Sequence, residues 1–246
     1  MGWGARWLGR EKVVGMRTLG LIGGLTWEST ALYYRLLNEA VRDARGGLTS
    51  APLLVHSFDF ASIAAMQSEG RWDDAAEQLV AAAEGLETAG AEALMICANT
   101  MHKVAPQIEA AVQIPLIHVA DVTADAVLGA GLTDVALIGT RYTMEQPFLV
   151  DRFRDSGLAL RVPDQAARDL IHAVIYDELA QGRIEDSSRQ AIAHVVEAMA
   201  ATGAQGVVLA CTELELLLGP NDMTIPSFPT TALHSAAGAA FILGEG

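Results

Sequence analysis

The chain has only two lysines, Lys12 and Lys103, and two cysteines, Cys97 and Cys211, in 246 residues. Two cysteines at the ends of apolar runs form neither a disulfide framework nor a paired-cysteine metal site, so we expect free thiols and no bound metal. Free thiols fit a reducing, cytoplasmic setting. Lys103 is the one lysine beyond the N-terminal stretch, and nothing around it suggests a Schiff-base site, so no cofactor is expected. Positive charge is also scarce: 16 Lys and Arg face 30 Asp and Glu, for a formal net charge of −14. That balance argues against nucleic acid or an anionic membrane as partner. No run reaches the length of a membrane-spanning helix. Met1–Gly15 carries Arg6, Arg10 and Lys12 but no apolar core of signal-peptide length, and reads as a flexible extension ahead of Met16.

Aromatics are few, at 6%, while 51% of residues are hydrophobic and 19% charged. Small apolar side chains suit close-packed α/β layers, and the length allows an ample core. The most informative stretch is Gly203–Leu214, GAQGVVLACTEL. Val207–Ala210 is a short continuous apolar run, as in a strand buried on both faces of a parallel sheet. Cys211 ends it, and Thr212-Glu213 open a helix. Open α/β sheets bind ligands at such strand ends.

The same pattern occurs earlier. Gly90–Thr100 reads GAEALMICANT and aligns without a gap at an offset of 113 residues. A second pair, Leu19–Gly24 (LGLIGG) and Val135–Thr140 (VALIGT), opens each half. The chain therefore reads as two copies of one α/β unit facing each other across a cleft. In this alignment Cys211 pairs with Ala98, whereas Cys97 pairs with Ala210. Side chains alternate faces along a strand, so the two cysteines are not symmetric partners.

Strands are expected at Arg17–Gly23, Leu53–His56, Leu94–Cys97, Ile114–His118, Val135–Ile138, Leu158–Val162, Val207–Ala210 and Ile225–Phe228. Helices are expected at Trp27–Arg45 (capped by Thr26), around Phe60–Gln67, and at Arg71–Ala89, Asp121–Leu128, Asp164–Gln181, Glu185–Thr202 and Thr231–Leu243. The short helix after Cys211 should end at Gly219-Pro220. Thr143–Gln146 has a capping-box pattern with Pro147 in the first turn of a helix to about Asp155. Alternating strands and helices predict parallel sheets with right-handed crossovers. We assign Met16–His118 to a first domain, with the helix 231–243 folding back on it, and Val119–Thr230 to a second.

Cys211 is the leading candidate for chemistry. A helix N-terminus after a thiol lowers its pKa, although a buried inert cysteine is the alternative. Cys97 reads as structural. Asn99 and Thr100 occupy the loop twinned with Thr212 and Glu213. Their amide and hydroxyl groups suit an anionic group such as a carboxylate, or ordinary helix capping. Thr140 and Thr143 have the same two readings. His102 reads as a general acid/base or as a structural histidine. Gly20–Gly24 lacks the full spacing of a nucleotide-binding loop.

With these residues in hand, the chain resembles the cofactor-independent aspartate/glutamate racemase family. It is most similar to bacterial broad-specificity and L-aspartate/glutamate-specific amino-acid racemases. LIGGLTWEST, GLTSAPLLVHSFDF, CANTMHKVA, LIGTRYTMEQPF and ACTEL carry the resemblance from Met16 onward. The resemblance implies two Rossmann-like domains related by a pseudo-two-fold, a homodimer, and an amino acid or dicarboxylate held between two thiols. One thiol removes the α-proton and the other delivers a proton to the opposite face. The second family thiol matches Cys211. The first falls on Ala98, which is chemically silent. A substrate-binding role is carried onto Asn99, Thr100, Thr140, Thr143, Thr212, Gln67 and Thr26. A weaker donor, from water, His102 or Glu213, would then serve the Ala98 face. The alternatives are a one-cysteine decarboxylase or isomerase of the wider superfamily, and a non-catalytic amino-acid-binding homologue.

Overall fold

The structure is a computed structural model and describes residues 15–219 and 221–245. The extension expected over Met1–Gly15 falls, but for Gly15, outside them, as does Pro220. Two parallel sheets form the centre of the molecule. The first has strands β1 (Leu19–Gly23), β2 (Leu53–Ser57) and β3 (Ala93–Ile96), in the order β2-β1-β3. The second has β4 (Asp134–Gly139), β5 (Ala159–Arg161), β6 (Gly206–Ala210) and β7 (Ser227–Pro229), in the order β5-β4-β6-β7. Every pairing is parallel.

The helices flank these sheets. In the first half they are α1 (Trp27–Arg45), α2 (Phe60–Ser68), α3 (Trp72–Thr88) and α4 (Ala105–Ala111). In the second half they are α5 (Val119–Gly129), α6 (Arg141–Glu145), α7 (Pro147–Asp155), α8 (Gln165–Ala173), α9 (Asp186–Ala201) and α10 (Thr212–Leu217). The last helix, α11 (Thr230–Leu243), returns to the first sheet. Its Ala239 and Ile242 share a buried cluster with Leu19, Tyr33 and Leu37.

The internal repeat is visible in the ladders. In the first sheet Leu21 pairs with Met95 and Ile22 with Ile96. In the second, Leu137 pairs with Val208 and Ile138 with Leu209. The two registers correspond under the sequence alignment, so each half places its loops at equivalent strand ends. Strands β3 and β6 are buried throughout, as continuous apolar runs between helical layers must be. Gly24 shows why LIGG ends β1: its φ is +70°, and an added Cβ would lie 2.2 Å from the Phe58 backbone.

Three expectations change. Ile114–His118 is not a full strand; a single bridge joins Leu94 to Leu116. The capping box at Thr143 does not form. Thr140 caps α6 instead, placing Thr143 inside that helix, and α7 starts at Pro147 without a side-chain cap. The helix expected over Asp164–Gln181 breaks after Ala173 into a π turn, Val174–Glu178, and a 3₁₀ turn, Leu179–Gln181. Such π turns often occur at functional sites. Here the turn carries Ile175 and Tyr176 into the cleft.

Candidate active site

The C-terminal ends of β1, β3, β4 and β6 meet at one cleft of about 90 Å³, well below the volume of a drug-sized pocket. Thr26, Gln67, Ala98, Asn99 and Thr100 line it from the first half, and Thr140, Cys211, Thr212 and Glu213 from the second. Sequence reasoning therefore brings nearly its whole candidate set to one place. Thr143 does not line the cleft but stands directly behind Thr140, with 3.0 Å between their hydroxyl oxygens.

Strand alternation decides the fate of the two thiols. Cys97 is fully buried among Leu19, Tyr33, Leu37 and Met95, on the face covered by α1 and α11. Burial pushes its thiol far up, so it stays protonated. Ala98 turns the other way and presents its methyl group to the cleft. Cys211, at the twin position just after β6, also lines the cleft.

The Cys211 thiol donates to Glu213 Oε2 at 3.0 Å. Burial pushes its pKa well up, and the neighbouring Glu213 carboxylate raises it further. The backbone N–H groups of Glu213 and Leu214 at the start of α10 act downward but are outweighed. The expectation that the helix terminus lowers this pKa is thus reversed. The short helix supplies only a partial charge, while Glu213 brings a full one into the same buried space. At rest Cys211 is a neutral thiol.

Hydroxyl groups tie the halves together. Thr26 caps α1 by accepting from Ser29 N–H at 3.2 Å, and its own hydroxyl reaches Glu213 Oε1 at 3.4 Å. Ser29 donates to the Cys97 carbonyl at 2.7 Å, so it accepts from Thr212, 3.0 Å away; Thr212 in turn accepts from Thr231 at 3.4 Å. Thr100 and Thr140 lie 3.3 Å apart across the boundary. Asn99 donates through Nδ2 to Thr230 at 2.9 Å, and Thr230 gives its one proton to the Leu209 carbonyl. That direction fixes the amide and leaves Asn99 Oδ1 buried without a partner. Gln67 Nε2 contacts the Met101 sulfur at 2.9 Å.

His102 is not an acid/base here. It is buried outside the cleft lining, with Nε2 accepting from Val119 N–H at 3.3 Å and Nδ1 therefore donating to the Ala98 carbonyl at 2.8 Å. Burial, with His118 and His234 beside it, pushes its pKa well down and keeps it neutral. Lys103 is also outside the cleft, with its Nζ 3.8 Å from the centre of the Trp72 ring. Among the described residues no cluster of His, Cys, Asp and Glu could hold a metal, and no helix is long and apolar enough to cross a membrane.

Sequence reasoning missed Ser29, Thr230, Thr231, Phe60 and Tyr176. Ser29 lies one helical turn after the Thr26 cap, and Thr230 follows Pro229 at the start of α11. Both signals read equally well as ordinary helix starts. Tyr176 enters through the π turn, which has no sequence signature of its own.

Two matched α/β halves that bring their strand ends, and the Cys211 thiol, to one cleft define the class of fold. The Asp/Glu/Hydantoin racemase family model matches residues 22–237, and the chain belongs to that family. A structure from Yersinia pestis, provisionally assigned as an Asp/Glu racemase, is 44% identical, with a TM-score of 0.88, over 93% of this chain and 100% of that one. An aspartate racemase homologue from Pyrococcus horikoshii is 30% identical, with a TM-score of 0.81, over 94% and 98% of the two chains. The Picrophilus torridus aspartate racemase, 19% identical with a TM-score of 0.73 over 93% and 94%, shares the fold.

Proposed function

We propose that this protein is a cofactor-independent amino-acid racemase in which Cys211 is the positioned acid/base. The observation that carries the reading is the thiol of Cys211 at the cleft wall, bonded to Glu213, in a lining that also holds Asn99 with its unpartnered Oδ1. The substrate ammonium donates to Asn99 Oδ1. The α-carboxylate accepts from the hydroxyls of Thr100, Thr140 and Thr212, with Thr143 supporting Thr140. Gln67 and Thr26 complete the binding wall.

For proton abstraction, Cys211 passes its proton to Glu213 along their hydrogen bond. The resulting thiolate takes the α-proton. Water at the Ala98 methyl delivers a proton to the opposite face, and Glu213 returns its proton to solvent. In the reverse direction Glu213 takes a proton from solvent, water at the Ala98 face removes the α-proton, Cys211 delivers its own proton to the opposite face, and Glu213 reprotonates the thiolate. Lacking a positioned group on one face costs a typical acid–base step ~10²–10⁴-fold, so turnover is slow. Family resemblance supports a cytoplasmic homodimer. The packing of α11 against α1 supports a first domain of residues 16–118 plus that helix, and a second of 119–230.

The test is proton NMR of amino acids in D₂O with chiral analysis of the same samples. Loss of the α-proton with inversion is the expected result. No exchange, in protein shown to be folded, would overturn the reading. The Ala98 methyl also favours a second reading, a one-thiol lyase that protonates one face. Release of carbon dioxide from a substituted malonate would establish it.

A further inference from the structure

The chemistry of the cleft wall bears on which amino acid it admits. Beyond the hydroxyls, the Asn99 and Gln67 amides and the Cys211 thiol, the uncharged lining includes Leu25, Phe60, Ile175, Tyr176 and Ala180. Glu213 is the one charged side chain among the described lining residues, and no Lys, Arg or His joins it. Cations near in sequence to the cleft are engaged elsewhere. Lys103 lies over Trp72, Arg71 pairs with Glu69 and Asp74, Arg141 with Asp169, and Arg168 with Glu145. Arg35 faces a neighbouring groove, on the other side of the wall formed by Ser29, Thr212 and Glu213.

We infer that the substrate is an α-amino acid with an uncharged side chain, not a dicarboxylate. This rests on the reading of the cleft as an amino-acid site. The α-ammonium and α-carboxylate are common to every amino acid and balance each other in charge. A side-chain carboxylate adds a second anion. It would enter an apolar, partly enclosed space without a cation, facing the Glu213 carboxylate. Like charges at short range in a poorly solvated site repel strongly. An uncharged side chain meets Leu25, Phe60 and Ile175 with no such penalty. Tyr176 adds an aromatic wall, and its own hydroxyl is held neutral, with a pKa pushed up to about 12 by burial.

Two measurements test this. Binding is read first, by calorimetry on Cys211→Ser protein with L- and D-alanine, serine, leucine, methionine, aspartate and glutamate. Turnover of the same set follows on the natural enzyme, by α-proton exchange in D₂O. The expected result is preference for the uncharged amino acids by about tenfold or more in both affinity and kcat/KM. Ala180→Lys, which puts a cation on an exposed position of the lining, should narrow or invert that preference. Aspartate or glutamate binding or reacting as well as the uncharged set would overturn the inference and leave the racemase reading intact. Preferential binding of the uncharged set without exchange would support the inference and sink the racemase reading. Binding of none would sink both.

Discussion

The thiol of Cys211 donates to the carboxylate of Glu213, two residues on, across 3.0 Å. The bond sets the resting state of the site. It holds the sulfur as a protonated acid and gives the proton somewhere to go when a thiolate is required. Glu213 also accepts from Thr26 of the facing half, so the same carboxylate spans the cleft.

Replacing Glu213 by Gln removes the negative charge beside the thiol. Since that charge raises the Cys211 pKa, Glu213→Gln should lower it, and alkylation of Cys211 should begin at lower pH. The measurement is the pH profile of iodoacetamide labelling in a Cys97→Ala background. An unchanged or higher midpoint would show that burial alone sets the acidity.

The two cysteines should respond oppositely to substitution. Cys211→Ser should reduce α-proton exchange by about 10²-fold or more, because a serine hydroxyl is a far weaker acid/base. Cys97→Ser should leave kcat near its natural value and lower stability by about 1–3 kcal/mol, since it buries a hydroxyl in an apolar cluster. Exchange assays and urea unfolding separate the two effects. Loss of catalysis without loss of stability in Cys97→Ser would contradict the geometry.

Ala98→Cys should restore a thiol on the facing wall. Racemisation should rise by about tenfold or more, and chiral analysis should show faster inversion relative to exchange. A folded variant with no gain would mean that the Ala98 face does not limit the rate.

Acid should destabilise the fold through a buried histidine group. His118 is pushed down to about 3 and His234 to about 4, in both cases chiefly by burial, and His102 is also lowered. The unfolded chain takes up protons near pH 6.5 while these native imidazoles do not. Stability present above that pH is therefore lost as pH falls toward the native values, by about 1.4 kcal/mol per pH unit for each histidine. Glu215 acts in the opposite sense, because burial raises its carboxyl to about 7; its contribution is lost as pH rises from about 4.5 toward 7. His118→Asn keeps a side-chain acceptor for the Ala120 N–H and should flatten the acid limb in urea titrations between pH 6.5 and 4. An unchanged slope would assign the acid sensitivity to other groups.

The sequence alone determined the repeat, the parallel strands and the opposed directions of Cys97 and Ala98, because a strand has a period of two and one residue decides a face. Composition and motif determined that Asn99, Thr100, Thr140 and Thr212 would gather at strand ends. Only the tertiary structure decided the protonation of Cys211, since the local rule, a helix terminus lowering a thiol, yields to burial beside Glu213. It also decided the role of His102, whose two nitrogens are taken by backbone groups from Ala98 and Val119. The scarcity of lysine was plain from the start. That no cation among the described residues lines the cleft depends on where Arg141 and Arg168 find Asp169 and Glu145, partners distant in sequence that meet only once the second half has folded.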